Sequence, residues 1–139
     1  MGEIDLKTLK FIDMERGFTA SASRKVTREC IWAFMEATGD RNPIHWDEEF
    51  ARKTPFKRCI AHGMLTAGHI SALFGQIPGA IYKFQDLNFR SPVFVGDTVV
   101  TSIEVHETFH YKKRVRFHCM CRVGARVVLD GDSMLQFES

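Results

Sequence analysis

Residues 62–75 read HGMLTAGHISALFG. Wound into a helix, this stretch carries apolar or small side chains on almost every side, and it contains no Lys, Arg, Asp or Glu. A helix that is apolar all round is normally buried. Glycine in a helix interior costs about 1 kcal/mol against alanine, so Gly68 implies close packing against that face. The fold turns on what encloses this dry helix.

The second half of the chain supplies the enclosure. Positions 99, 101, 103, 105 and 109 are Val, Thr, Ile, Val and Phe, with mostly polar residues between them. Positions 111, 115, 117, 119, 121 and 123 are Tyr, Val, Phe, Cys, Cys and Val, while Lys112, Arg114, Arg116, His118 and Arg122 take the opposite parity. Period two with one wet face is the mark of antiparallel strands. Gly124-Ala125 reads as a hairpin turn into a last strand, 126–137. Residues 80–91 read as another strand whose parity slips near Gln85-Asp86, which implies a bulge. Several such strands and one dry helix have a simple packing solution: the sheet curls and wraps the helix. The fold class is α+β of the hot-dog type, a curled antiparallel sheet wrapped around a long central helix.

Upstream, residues 9–25 hold scattered β-formers, a weak first strand. Thr27 then precedes Arg28–Thr38, where Ile31, Phe34, Met35 and Thr38 share one helix face. Thr27 suits the N-cap and Gly39 the stop. Asp47 caps a second short helix, Glu48–Lys53, with acids in its first turn. At 139 residues the chain is read as a single domain, 1–139.

Composition excludes several classes. The chain is 45% hydrophobic and 26% charged, with a formal net charge of +2. Interspersed charge of that size gives no nucleic-acid footprint. MGEIDLKTLKFID lacks the apolar core of a signal peptide, and no apolar run is long enough for a membrane span. Cys30, Cys59, Cys119 and Cys121 form no CxxC pair or zinc spacing and read as buried free thiols of a reducing compartment, so the protein is placed in the cytoplasm. There is no GxGxxG, P-loop or GxSxG elbow.

The chemistry concentrates in TGDRNPIHWDEEFA, residues 38–51. His106, His110 and His118 lie on polar strand faces and read as solvent-exposed. His62 and His69 are i, i+7 on the dry helix; grouped with Asp40 and His45 they match zinc or iron in type but not in spacing, and no metal is assigned. Asp40 and His45 read in two ways. They bracket one water for acid–base work, with Asn42 orienting Asp40 or the water and Pro43 fixing the turn, or they form a capped turn between two helices. The open amides at the start of the dry helix suit a developing oxyanion, and Gly63 lets a carbonyl approach closely. His62-Gly63 equally serves as the plain start of a core helix.

GDRNPIH within FMEATGDRNPIHWDEEFA resembles the signature of the MaoC-like (R)-specific enoyl-CoA hydratases. IAHGMLTAGHISALFGQIPG and LNFRSPVFVGDTV resemble the same family, in the same order, so that the likeness spans roughly residues 12–138. The resemblance implies a hot-dog homodimer with an acyl-thioester tunnel, and reversible hydration of trans-2-enoyl-CoA to (R)-3-hydroxyacyl-CoA without a cofactor. It makes Asp40 and His45 the acid–base pair, Asn42 their support and the Gly63 N–H the donor to the thioester carbonyl. His62, Ser71 and Phe74 fall to substrate binding, with Phe74 bulky enough to close the tunnel to long chains, or else an ordinary core residue. Lys57, Arg58 and Arg90 are placed to attract the phosphates of coenzyme A, or else belong to a solvated face; acyl carrier protein is the alternative donor. The rival readings are a hot-dog acyl-CoA thioesterase and a non-catalytic acyl-CoA-binding module.

Overall fold

The computed structural model describes residues 5–138. Its elements are β1 (Thr19–Lys25), α1 (Arg28–Thr38), α2 (Glu48–Arg52), α3 (Gly63–Phe74), β2 (Ala80–Gln85), β3 (Asn88–Phe89), β4 (Thr98–Phe109), β5 (Arg114–Val123) and β6 (Arg126–Phe137). All strand pairs are antiparallel, in the order β1-β4-β5-β6-β2, with β3 also on β6. The sheet curls over α3 without closing. Alternation does what the sequence required of it. Val99, Thr101, Ile103 and Val105 on β4, and Val115, Phe117, Cys119 and Cys121 on β5, are buried. Ile70, Leu73 and Phe74 of α3 join them in one core with Leu129 and Leu135. Each Val, Ile, Leu or Phe among them contributes about 1.5–3 kcal/mol by leaving water.

Four expectations need correction. The first strand begins at Thr19, not residue 9, because 3-10 turns at Leu6–Thr8 and Phe11–Asp13 take the earlier stretch. The strand expected over 80–91 is broken in two. The register shifts between Tyr82 and Phe84, and the chain then crosses tightly over β6. There the Asp132 amide donates to Asp86 Oδ1 at 2.8 Å, and a Cβ on Gly131 would lie 2.1 Å from the Asp86 carbonyl oxygen. Only glycine permits that crossing. Third, α3 is not covered on all sides: Thr66, Ile70, Leu73 and Phe74 are buried, whereas Met64, Gly68, Ser71 and Ala72 form an exposed stripe. Nothing lies within 4 Å of a Cβ built on Gly68. An unclosed sheet covers one side of a helix, and this uncharged side is left over. Fourth, His106 and His118 are half-buried rather than free in solvent. They stack at 5.4 Å and bond Glu104 and Asp132.

Candidate active site

Local rules build the loop after α1. The Thr27 hydroxyl accepts from the Cys30 amide at 3.2 Å, and Gly39, in the left-handed region at φ 80°, ends the helix by donating to Met35. A short 3-10 turn, Pro43–His45, follows; Pro43 opens it, and the Asn42 side chain accepts from the Ile44 amide at 3.2 Å. Asp47 caps α2 through the amides of Glu49 and Phe50. The capped turn is thus real, but it leaves groups free for chemistry. Asp40 Oδ1 accepts from the Asn42 amide at 3.3 Å, while Oδ2 has no protein partner among the described residues.

Two bonds through Ile60 fasten this loop to the segment leading into α3. The Ile60 amide donates to the Ile44 carbonyl at 3.3 Å, and His45 Nδ1–H donates to the Ile60 carbonyl at 2.7 Å. Because a carbonyl can only accept, the proton sits on Nδ1 and a neutral His45 presents the lone pair of Nε2. The Ala61 amide in turn donates to Val93 at 2.7 Å, which fixes where α3 begins. Asp40, His45 and His62 each offer a side-chain donor atom within 4.8 Å of the others. A water bonded to two such groups needs them about 4.5 Å apart, since two hydrogen bonds of about 2.8 Å meet at a tetrahedral angle, and the limit of 4.8 Å admits that span. A shared ion is a poor fit. The His45 and His62 rings stack at 3.7 Å with planes 27° apart, and imidazole lone pairs lie in the ring planes, so they do not converge. His69 stands outside this group.

His62 is the N-cap of α3 but makes no side-chain cap bond. The amides of Gly63 and Met64, first in the helix, have no acceptor among the described residues. Gly63 opens on a cavity of about 430 Å³ lined by Phe56, Ala61, Thr66, Phe89, Val93 and Leu129, among others. Phe89 lies against Gly63: an added Cβ would be 2.6 Å from its Cε1.

Not every expected site residue gathers here. Asp40 and His45 are not in the lining of the cavity; His45 is tied to it only by its bond to Ile60, which lines it. Ser71 is exposed on the open stripe of α3, and Phe74 is a core residue, packed edge-on against Phe117 at 4.8 Å and Tyr82 at 5.5 Å. Of the three cations, Arg90 lines the cavity but pairs with Asp130, Nη2 to Oδ1 at 3.2 Å. The Arg58 guanidinium lies 3.8 Å over the Phe94 ring, and Lys57 is exposed with φ 66°. The three buried thiols offer no competing nucleophile: burial pushes Cys119 up to about 12 and Cys59 up to about 11, and it raises Cys121 as well. Cys30 alone departs from the expected burial; it is partly exposed, and a hydrogen bond from Thr27 lowers it. The sequence reading missed Phe89 and the Ile60 carbonyl. A backbone acceptor leaves no mark in sequence, and Phe89 carries no signal there beyond its place in the strand expected over 80–91 and in LNFRSPVFVGDTV.

Residues 11–119 match the MaoC like domain. The chain is 46% identical over 135 residues to a 3-hydroxybutyryl-CoA dehydratase of Methylorubrum extorquens, covering 95% of this chain and 86% of that one. It is 40% identical over 136 residues to an (R)-specific enoyl-CoA hydratase of Rhodospirillum rubrum, covering 96% and 94%. Among solved structures, the unliganded R-hydratase of Pseudomonas aeruginosa superposes with a TM-score of 0.87 at 34% identity, covering 92% of this chain and 84% of that one.

Proposed function

The chain belongs to the MaoC-like domain family, and from that premise we infer that it is an (R)-specific enoyl-CoA hydratase, reversibly adding water to trans-2-enoyl-CoA to give (R)-3-hydroxyacyl-CoA. The names of its relatives describe the two directions of one reaction. The observation that carries the mechanism is the approach of Asp40 and His45 within 4.8 Å, beside a helix start with open amides.

The thioester carbonyl takes the Gly63 N–H, which draws electron density from the β-carbon. Preorganised donors of this kind contribute about 10²–10³-fold in rate. Water held between Asp40 and His45 attacks the β-carbon. One of the pair takes a proton from the water while the other returns a proton to the α-carbon. Asn42 holds Asp40 by its amide. The addition is redox-neutral and balances in protons, so it calls for no metal or organic cofactor. Residues 1–139 act as one catalytic domain. The uncharged stripe of Met64, Gly68, Ser71 and Ala72 supports a homodimer in which a second copy covers α3. The unpaired cysteines support a cytoplasmic enzyme; no helix among the described residues is long and apolar enough to cross a membrane. Arg58 and Lys57 remain available to the phosphates of coenzyme A, with acyl carrier protein as the alternative carrier.

The test is turnover of crotonyl-CoA by wild type, Asp40→Asn and His45→Gln. Hydration bleaches the absorbance of the conjugated enoyl thioester; hydrolysis would instead release a free thiol. Each substitution should lower kcat by about 10²–10⁴-fold without changing the thermal midpoint. Thiol release by wild type, or full activity in both variants, would overturn the reading.

A further inference from the structure

His62 carries the position of a substrate-binding residue, but its surroundings give it another task. It is 2% exposed and does not line the Gly63 cavity. Its imidazole stacks on His45 at 3.7 Å and lies against Phe34 at 4.6 Å, with those planes tilted by 43°. Its Nε2–H donates to the Asp40 carbonyl at 3.0 Å. One side chain therefore touches both members of the acid–base pair, the backbone of Asp40 and the ring face of His45, across 22 residues of chain. His45 is held in its plane by the Ile60 carbonyl and against tilting by this stack. Burial lowers the basicity of His62, and neighbouring His45 adds to that effect against Asp40. A neutral ring donates its hydrogen bond without placing a positive charge against His45. Its Nδ1 is buried without a partner, which fits a residue kept for what its other nitrogen and its face do.

We propose that His62 is a positioning residue of the hydration: it fixes the distance between the Asp40 loop and the His45 ring and does not itself meet the substrate. The inference rests on the acid–base reading above. Misplacing a reacting group by about 1 Å can cost about 10²-fold, and His62 spans the two groups whose spacing holds the water. The role needs a flat ring and an in-plane N–H together. Phenylalanine supplies only the first, glutamine only the second.

The test compares wild type, His62→Phe and His62→Gln on crotonyl-CoA, alone and with His45→Gln. Each single His62 variant should lose about 10–100-fold in kcat with KM within about threefold of wild type. In the His45→Gln background the same changes should add little, because the residue acts through the pair. Unchanged kcat, a rise in KM at constant kcat, or losses that multiply with His45→Gln would each overturn the proposal. Should His62→Phe fail to fold by circular dichroism, His62→Gln carries the test alone. Asp40→Asn and His45→Gln, run alongside, separate the two claims. If they are inactive while the His62 variants are normal, the positioning role alone falls; if they are active, the acid–base reading falls and takes this role with it.

Discussion

Replacing Gly63 by alanine asks whether the start of α3 is a binding site or only a helix start. The added methyl would sit 2.6 Å and 2.8 Å from Cε1 and Cδ1 of Phe89. Carbon atoms prefer about 3.5–4.0 Å, so the ring must retreat by roughly 1 Å. Phe89 is 56% exposed on the two-residue β3 and has solvent to move into. Overpacking of this kind costs about 1–3 kcal/mol, and the better helix propensity of alanine offsets up to about 1 kcal/mol. The net loss should be about 0–3 kcal/mol, or up to about 10 °C in thermal midpoint for a domain of this size. Activity should suffer far more. With the amide crowded, kcat on crotonyl-CoA should fall by the worth of one oxyanion donor, about 10²–10³-fold. Adding Phe89→Leu separates the two effects: it should restore the melting temperature but not kcat. A Gly63→Ala enzyme with kcat within threefold of wild type would refute the assignment of the amide. Recovery of kcat in the double variant would show that the ring, not the amide, was responsible.

Two further outcomes follow from groups away from the reacting atoms. Burial holds His62 and His69 below the ordinary histidine value of 6.5, aided by His45 and by Arg24 respectively. Below pH of about 6.5 the unfolded chain then takes up protons that the folded chain refuses, so stability should fall as pH falls; His69→Gln should flatten that slope in thermal melts, and an unchanged slope would refute the cause. At the β2–β3 crossing, Gly131→Ala puts a methyl against backbone that cannot swing away and should cost about 3 kcal/mol or more in urea unfolding; near-neutral stability would refute the close approach.

Local rules were legible in the sequence, and long-range ones were not. The alternation of β4, β5 and β6 comes from the pleat itself, so Val99–Val105 and Val115–Cys121 gave the sheet and its buried face. Thr27, Gly39 and Asp47 mark their caps because each acts on amides or carbonyls within four residues. The break between β2 and β3 was only half visible. The parity slip was seen near Gln85, but its cause is the passage of Asp86 across Gly131, 45 residues away. Arg90 reads as a free cation until Asp130, its partner at 3.2 Å, is brought beside it by β6. Apolar residues on every side of α3 show that the whole helix wants cover. They do not tell how much of it the chain's own sheet can reach, and Met64, Gly68, Ser71 and Ala72 lie beyond that reach.

The chain has two tryptophans, and both sit beside the loop that carries Asp40 and His45. Trp32 and Trp46 have rings 6.1 Å apart, and the Trp46 indole donates to the Arg41 carbonyl at 3.0 Å. Their emission is therefore a local gauge of that loop rather than of the whole molecule. Fluorescence excited at the red edge of indole absorption would register acyl-thioester binding, or loosening of the loop, without any attached dye, while far-ultraviolet dichroism follows the sheet separately.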